Sequence, residues 1–333
     1  MKSISVIGAT GLVGRELLHI LEERSFPVSA VKLFCSERSR GEKIEFMGDE
    51  HVVEELISPE QIDSDIAFFA AGDKISRTFV DQVAHRGVIC IDKSSALRMR
   101  EDVALVVADV NDKGLKEHSS KIIATPNCVA TPLAQVLSVI NQQSPLESVV
   151  LSTYQAVSGA GKAGADELET QVRDLFNLRD SKSPVFGRRI AFNVLPFIPA
   201  LSLIDEQGKT SEEKKIIEET QKILSLPELK MEVTCVRVPV FNSHSMSVNI
   251  ATKNEIKLND MLETLAKTPG IILIDEPTQG KYPTPLDASG EDMTLVGRIR
   301  PNTSVKYGLS LWIVSDNLRT GAALNAVRIA EKL

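Results

Sequence analysis

The chain has 333 residues, 43% of them hydrophobic and 25% charged, with a formal net charge of −7. That length exceeds one ordinary core and sets two domains as the expectation, while the apolar and charged fractions describe a soluble globular protein. The acidic balance argues against a nucleic-acid partner, and no run of about 18 apolar residues offers a membrane span.

The opening MKSISVIGATG runs straight into a strand pattern, without the apolar core and cleavage site of a signal peptide. SISVIG passes directly into GATGLVG, and Leu12, Val13, Leu17, Leu18, Ile20 and Leu21 then fall on or near one helical face. VKLF (31–34), DIAFFAA (65–71), GVICID (87–92) and ALVVADV (104–110) follow as short continuous apolar runs. Such runs are expected of strands buried on both faces of a parallel sheet, and helical segments such as 75–86 separate them. The fold expected for this half is α/β, a Rossmann-like doubly wound sheet.

Beyond Cys128 the texture changes. ESVVLSTYQAVS and LKMEVTCVRVPVFNSHSMSVNIAT are long strand-like stretches, and helix patterns cover roughly 161–177, 211–224 and 257–267. A second α+β domain with a mixed or antiparallel sheet is expected. Cysteines stand only at 35, 90, 128 and 235, with no CxxC pair, which suits reduced thiols in a cytoplasm. Histidines at 19, 51, 85, 118 and 244 form no ligand cluster, so no metal is expected, and the first four read as surface residues.

GATGLVG places Gly8, Gly11 and Gly14 between a strand and a helix. Glycines there permit a tight turn and close approach of a pyrophosphate to the helix N-terminus, with Thr10, Leu12 and Val13 beside it. About 20 residues on, Ser36, Arg38 and Ser39 suit the 2′-phosphate of NADP, although Glu37 between them would suit the ribose of NAD. NADP is the expected cofactor. Ala71 and Gly72 end another strand, where ligands of open α/β sheets gather.

Cys128 follows Pro126 and Asn127 in KIIATPNCVATPL. A free cysteine is often simply buried. Here Thr131 and Pro132 read as N-cap and first residue of a helix, so the thiol stands just before a helix N-terminus, which favours a thiolate nucleophile. Its candidate acid–base partner is His244, on a strand pattern of the second half.

The ordered set PNC (126–128), TYQAVSGAG (153–161), Glu-Glu-Lys-Lys (212–215) and RVPVFxxHS (237–245) resembles the aspartate-semialdehyde dehydrogenase family, essentially end to end. The resemblance implies NADPH-dependent reduction of L-aspartyl 4-phosphate to the semialdehyde, in the synthesis of lysine, diaminopimelate, threonine and methionine. Cys128 would form a thioester and release phosphate, His244 would shuttle a proton, and Gln155 would orient the reacting groups. Arg237 would bind the α-carboxylate and Glu212 the α-ammonium. Arg98, Asn127 and Lys215 would hold the phosphate, with Lys214 the register competitor of Lys215. Ser158, Gly159, Gly161, Asn317 and Gly321 would complete the cofactor site. The final helix would return to the first domain, giving 1–127 with 315–333 as dinucleotide-binding domain and 128–314 as catalytic and dimerisation domain of a homodimer.

Four departures from the family pattern change five positions. Lys93 replaces an asparagine, Ser243 and Met246 replace the glycine and glutamate that flank His-Ser, Thr125 replaces the asparagine before Pro-Asn-Cys, and Val129 follows the cysteine. The glycine and aromatic setting of an N-acetyl-glutamyl-phosphate reductase is absent, as is the Ser-Cys-Thr-Thr of a glyceraldehyde-phosphate dehydrogenase. A non-catalytic homologue should have lost its nucleophile or base, yet Cys128, Gln155, Arg237 and His244 are all present.

Overall fold

A computed structural model of the chain describes residues 1–113, 115, 120–199 and 204–333; His118, expected at the surface, lies outside the described residues. Two compact units emerge, Met1–Asn127 with Ala322–Leu333, and Cys128–Gly321. Among the described residues no helix is long and apolar enough to cross a membrane.

The first unit contains β1 (Lys2–Ile7), α1 (Leu12–Glu23), β2 (Val28–Cys35), β3 (Lys43–Phe46), β4 (Asp49–Val52), β5 (Glu54–Glu55), β6 (Ile66–Phe69), α2 (Asp73–His85), β7 (Ile89–Asp92), β8 (Ala104–Leu105) and β9 (Ile122–Ala124). Seven of these strands form one sheet, ordered β5-β2-β1-β6-β7-β9-β8, and every pair in it is parallel. The chain leaves β1 for β2 on one side and later returns to β6 on the other, so β1 is the topological switch of a doubly wound sheet. Each apolar run has a buried stretch. Ile4, Val6, Phe68, Ile91 and Ile123 share one core with Leu17, Leu18 and Leu21 of α1, and with Leu324, Val327 and Ile329 of the chain's last helix. Each fully buried side chain of this size stabilises by about 1.5–3 kcal/mol.

ALVVADV gives less strand than expected. Only Ala104 and Leu105 join the ladder, after which Val107 N–H donates to Asn111 Oδ1 and Ala108 N–H to Asn325 Oδ1, both at 2.9 Å. Side-chain amides take over the pairing before Asp109 turns the chain at φ 66°.

The second unit contains α3 (Ala130–Gln143), β10 (Leu146–Gln155), α4 (Gly161–Phe176), α5 (Ser211–Leu224), β11 (Lys230–Arg237), β12 (His244–Thr252), α6 (Leu258–Lys267), β13 (Ile271–Leu273), α7 (Pro285–Ala288), β14 (Thr294–Asn302) and β15 (Gly308–Ser315). Its six-stranded sheet, β11-β10-β12-β15-β14-β13, is mixed, with β10 parallel to β11 and antiparallel to β12. The long stretch expected around 229–252 is thus two strands that straddle β10. Their link crosses the end of β10, where Val238 N–H donates to Gln155 O and Val157 N–H to Val240 O. Val149 and Leu151 of β10, Val233 of β11 and Met246, Val248 and Ile250 of β12 pack with Leu133, Val136, Leu137 and Ile140 of α3 in one apolar core.

Candidate active site

In the first unit, the predicted dinucleotide residues collect at the carboxyl ends of three neighbouring strands. Gly8 follows β1 with φ 90°, and a Cβ there would stand 2.7 Å from Ala70 O, beyond the end of β6. Gly8 and Ala9 N–H both donate to Phe34 O of β2. Gly14 is equally obligatory, since its Cβ would meet Gly8 O at 2.2 Å. Gly11 is the N-cap of α1, no side chain caps the helix, and its first turn carries no acidic residue. Thr10, Leu12 and Val13 are half-buried around this turn. An uncapped helix N-terminus behind a glycine turn fits the pyrophosphate of a dinucleotide. Ser36 and Arg38 are exposed beyond β2, with Ser39 half-buried and Glu37 exposed between them, and Ala71 and Gly72 are exposed beyond β6.

Arg98 and Asn127 also lie in this unit, 6% and 7% exposed. Arg98 Nη2 donates to Lys93 O at 2.7 Å, and Lys93 Nζ donates to Pro126 O at 3.5 Å, so the added cation at 93 is tied to the segment that ends in Asn127. Asp92 beside them accepts from Ser76 and Ser94, while burial raises its carboxyl above the usual range.

The second unit gathers the rest at one end of its sheet. Gln155 ends β10, Arg237 ends β11, and the two are register partners. His244 begins β12, opposite Ser315 at the end of β15. Cys128 is half-buried against the apolar core, immediately before α3. That helix starts earlier than expected. Val129 is its N-cap and Thr131 and Pro132 sit inside the first turn, where a proline N–H would have no partner anyway. The shift brings Cys128 closer to the helix end. Gly321 lies in a π turn, Arg319–Ala323, and a Cβ there would come within 2.7 Å of Cys128 O and 2.9 Å of its Cβ. Only glycine leaves the cysteine in place.

His244 is fully buried, and Ala156 N–H donates to its Nδ1 at 3.0 Å. A backbone N–H can only donate, so the neutral ring carries its proton on Nε2. Nε2 is itself buried without a hydrogen-bond partner among the described residues. Burial, reinforced by the nearby Arg237 cation, pushes the imidazole down to about 3. Arg237 is 6% exposed; its Nη1 donates to Ala156 O at 2.6 Å, and its guanidinium lies 5.9 Å from the centre of the Phe186 ring. Burial also lowers the guanidinium's pKa, opposed by Glu212, Cys128 and Cys235. Gly159 separates the two bases, since a Cβ there would stand 2.8 Å from Arg237 Nη1 and 3.3 Å from His244 Nε2.

Gln155 Nε2 donates to Glu212 Oε1 at 3.2 Å. Glu213, its neighbour, is structural: it closes a capping box with Thr210 and accepts Cys235 N–H at 3.0 Å. Lys215 is half-buried on α5, one position from an exposed Lys214 that pairs with Glu218. Asn317 uses both ends of its amide within the unit, with Oδ1 accepting Ser243 N–H at 2.9 Å and Nδ2 donating to Ser158 Oγ at 3.0 Å. Gly161 opens α4 at φ 75°. Met246 joins the apolar core on the same strand as His244, so no carboxylate stands at that position. Residues that the sequence did not single out include Thr153, Ala156, Phe186 and Asp316. Asp316 ties the 242–244 turn by accepting from Asn242 Nδ2 at 2.7 Å.

Two family models match the chain: "Semialdehyde dehydrogenase, NAD binding domain" over residues 3–118 and "Semialdehyde dehydrogenase, dimerisation domain" over residues 137–320. The aspartate-semialdehyde dehydrogenase of Aquifex aeolicus is 43% identical, covering 99% of this chain and 97% of its own length. The chain belongs to the aspartate-semialdehyde dehydrogenase family. The Bacillus subtilis member of this oxidoreductase family is 42% identical over 99% of this chain and 96% of its own. The structure of aspartate semialdehyde dehydrogenase II from Vibrio cholerae, complexed with ASA, aligns with a TM-score of 0.94 at 39% identity, covering 99% of this chain and 97% of that one. The first unit accordingly contains an NAD(P)-binding domain of the semialdehyde dehydrogenase type, and the second a mixed-sheet dimerisation domain.

Proposed function

We propose that the protein converts L-aspartyl 4-phosphate to L-aspartate 4-semialdehyde and phosphate with NADPH, through a thioester on Cys128. The observation that carries the reading is the cluster of Cys128, His244, Arg237, Gln155 and Glu212 at one sheet end, in a chain 43% identical to a named aspartate-semialdehyde dehydrogenase. The start of α3 and the Arg237 cation both favour a thiolate at Cys128. Its attack on the acyl carbon forms the C–S bond and breaks the bond to phosphate. His244, bearing its proton on Nε2, donates a hydrogen bond to the oxygen on which charge develops, so the buried N–H finds its partner in the substrate. Gly8, Gly11 and the first turn of α1 would hold the cofactor's pyrophosphate, and Ser36, Arg38 and Ser39 its 2′-phosphate. NADPH, when bound there, would supply a hydride, which the Cys128 thioester would accept to become a thiohemiacetal. Cleavage of the C–S bond then frees the aldehyde and regenerates the thiolate.

Arg237 would take the α-carboxylate, Glu212 the α-ammonium, and Arg98, Asn127 and Lys215 the phosphate. A fork of parallel N–H groups suits a carboxylate better than a point charge does. Lysine, threonine, methionine and diaminopimelate synthesis draw on this aldehyde, and a cytoplasmic homodimer is the form proposed. The test is NADP reduction by the purified protein with L-aspartate semialdehyde and phosphate, beside Cys128→Ser. Phosphate-dependent NADPH formation is expected in the wild type, with a loss of at least about 10³-fold in the variant. Equal rates in the two would return Cys128 to packing, and no turnover in the wild type would remove the substrate assignment. Substituting NAD for NADP should cost most of the rate.

A further inference from the structure

The inner face of β10 turns polar at Thr153, a residue to which the proposed chemistry gives no task. Thr153 is fully buried. Its hydroxyl donates to Gln155 Oε1 at 2.9 Å and accepts Val236 N–H at 3.3 Å. Gln155 is 1% exposed and donates from Nε2 to Glu212 Oε1.

These bonds can run in one direction only. A carboxylate accepts and cannot donate, so the amide must turn its NH2 toward Glu212 and its carbonyl oxygen toward Thr153. A hydroxyl has a single proton, and Gln155 takes it. The lone pairs that remain on Thr153 receive the backbone N–H of Val236. Cys235, the register partner of Thr153, offers weak competition for that proton, because burial keeps it a neutral thiol. At the far end, burial lowers the guanidinium of Arg237 and the nearby Glu212 carboxylate opposes it.

We infer that Thr153 is a positioning residue whose hydroxyl fixes the orientation of the Gln155 amide and, through it, the placement of Glu212 opposite Arg237. The inference rests on the reading that these three side chains receive the substrate. Without the hydroxyl, the buried Gln155 Oε1 loses its Thr153 donor, and of the two bonds that hold the amide only the one to Glu212 is left.

The test compares two variants with opposite losses. Thr153→Val keeps the branched shape and removes the hydroxyl; Thr153→Ser keeps the hydroxyl and removes a methyl group. Steady-state rates are measured on the full chain with L-aspartate semialdehyde, phosphate and NADP, together with melting temperatures. Thr153→Val should lower kcat/KM for the semialdehyde about tenfold or more while leaving KM for NADP unchanged, the size expected when a buried hydrogen-bond partner is lost. Thr153→Ser should recover most of that loss even if it melts lower than the valine variant. A packing role predicts the reverse order, with serine the worse, and that order overturns the inference, as does a valine variant equal to wild type. Should the valine variant fail to fold, Thr153→Ala against Thr153→Ser carries the same comparison, since those two differ by the hydroxyl alone. A wild type inert on the semialdehyde removes the substrate reading itself, and this inference with it. An active wild type with an indifferent Thr153 removes the inference alone.

Discussion

Val149 and Leu151 share the inner face of β10 with Thr153 and Gln155, yet the two halves of that face follow different rules. At the apolar end, β10, β11 and β12 pack Val149, Leu151, Val233, Val248 and Ile250 against α3, and the buried hydroxyl of Thr252 there donates to Asn254 O and Tyr307 O. At the other end the same strands carry Gln155, Arg237 and His244, all 6% exposed or less. There His244 keeps a buried Nε2 without a hydrogen-bond partner among the described residues, and Ser243 holds a left-handed φ of 72°. An unsatisfied buried polar group costs about 1–3 kcal/mol. A left-handed residue other than glycine adds about 1–3 kcal/mol. The comparison teaches that the sheet's stability is gathered at one end and drawn down at the other.

Substitutions at the two ends should therefore separate. Arg237→Lys, which keeps the charge and loses the fork, should lower kcat/KM for the semialdehyde by about 10²-fold, the measure of a lost bidentate contact. Its melting temperature should move little, and a variant that unfolds instead would place Arg237 among the structural groups. Leu151→Ala, two residues from Thr153 along the same face, should cost about 2–5 kcal/mol in denaturant unfolding with KM for the semialdehyde unchanged. A raised KM would mean that the two ends are not separable.

The buried imidazole gives a pH-dependent effect. Folded, His244 stays neutral down to about 3, whereas its ordinary value is 6.5. As pH falls through that window, the unfolded chain takes up a proton that the folded one refuses. This contribution to stability is complete above 6.5 and declines by at most about 1.4 kcal/mol per pH unit below it. Unfolding curves from pH 8 to 4 should show a steeper decline for the wild type than for His244→Asn, and parallel curves would sink the assignment. Smallest of all should be Ser243→Gly. It relieves the left-handed backbone and forfeits the 3.0 Å contact between Ser243 Oγ and Ser289 Oγ, so the net change should stay within about 1 kcal/mol.

Much of this arrangement was legible in the residues themselves. GATGLVG between an apolar run and an amphipathic segment is a strand, turn and helix by local rules alone. The continuous apolar runs of the first unit announce a sheet covered on both faces. RVPVFxxHS was readable as a motif, but not as a bridge that carries the chain over the end of β10, because that depends on strand order. The start of α3 was misplaced because proline is tolerated throughout the first turn, so Pro132 marks a helix beginning only to within a residue or two. Thr153 was invisible for a different reason. One threonine in an alternating strand looks like any β-branched residue until the polarity of its neighbours is known.

The last helix of the chain has a consequence for how the molecule is made. Leu324, Val327 and Ile329 belong to the core of the unit that residues 1–127 build, but a ribosome delivers them after the whole of the second unit. The second unit is one continuous stretch and can be completed during synthesis, while the first waits with part of its core unfilled. A product that ends before Ala322 would therefore carry a finished second unit joined to a first one still exposing apolar surface. Truncation of a dozen residues, far from the glycine turn in sequence, would be felt first where the chain began.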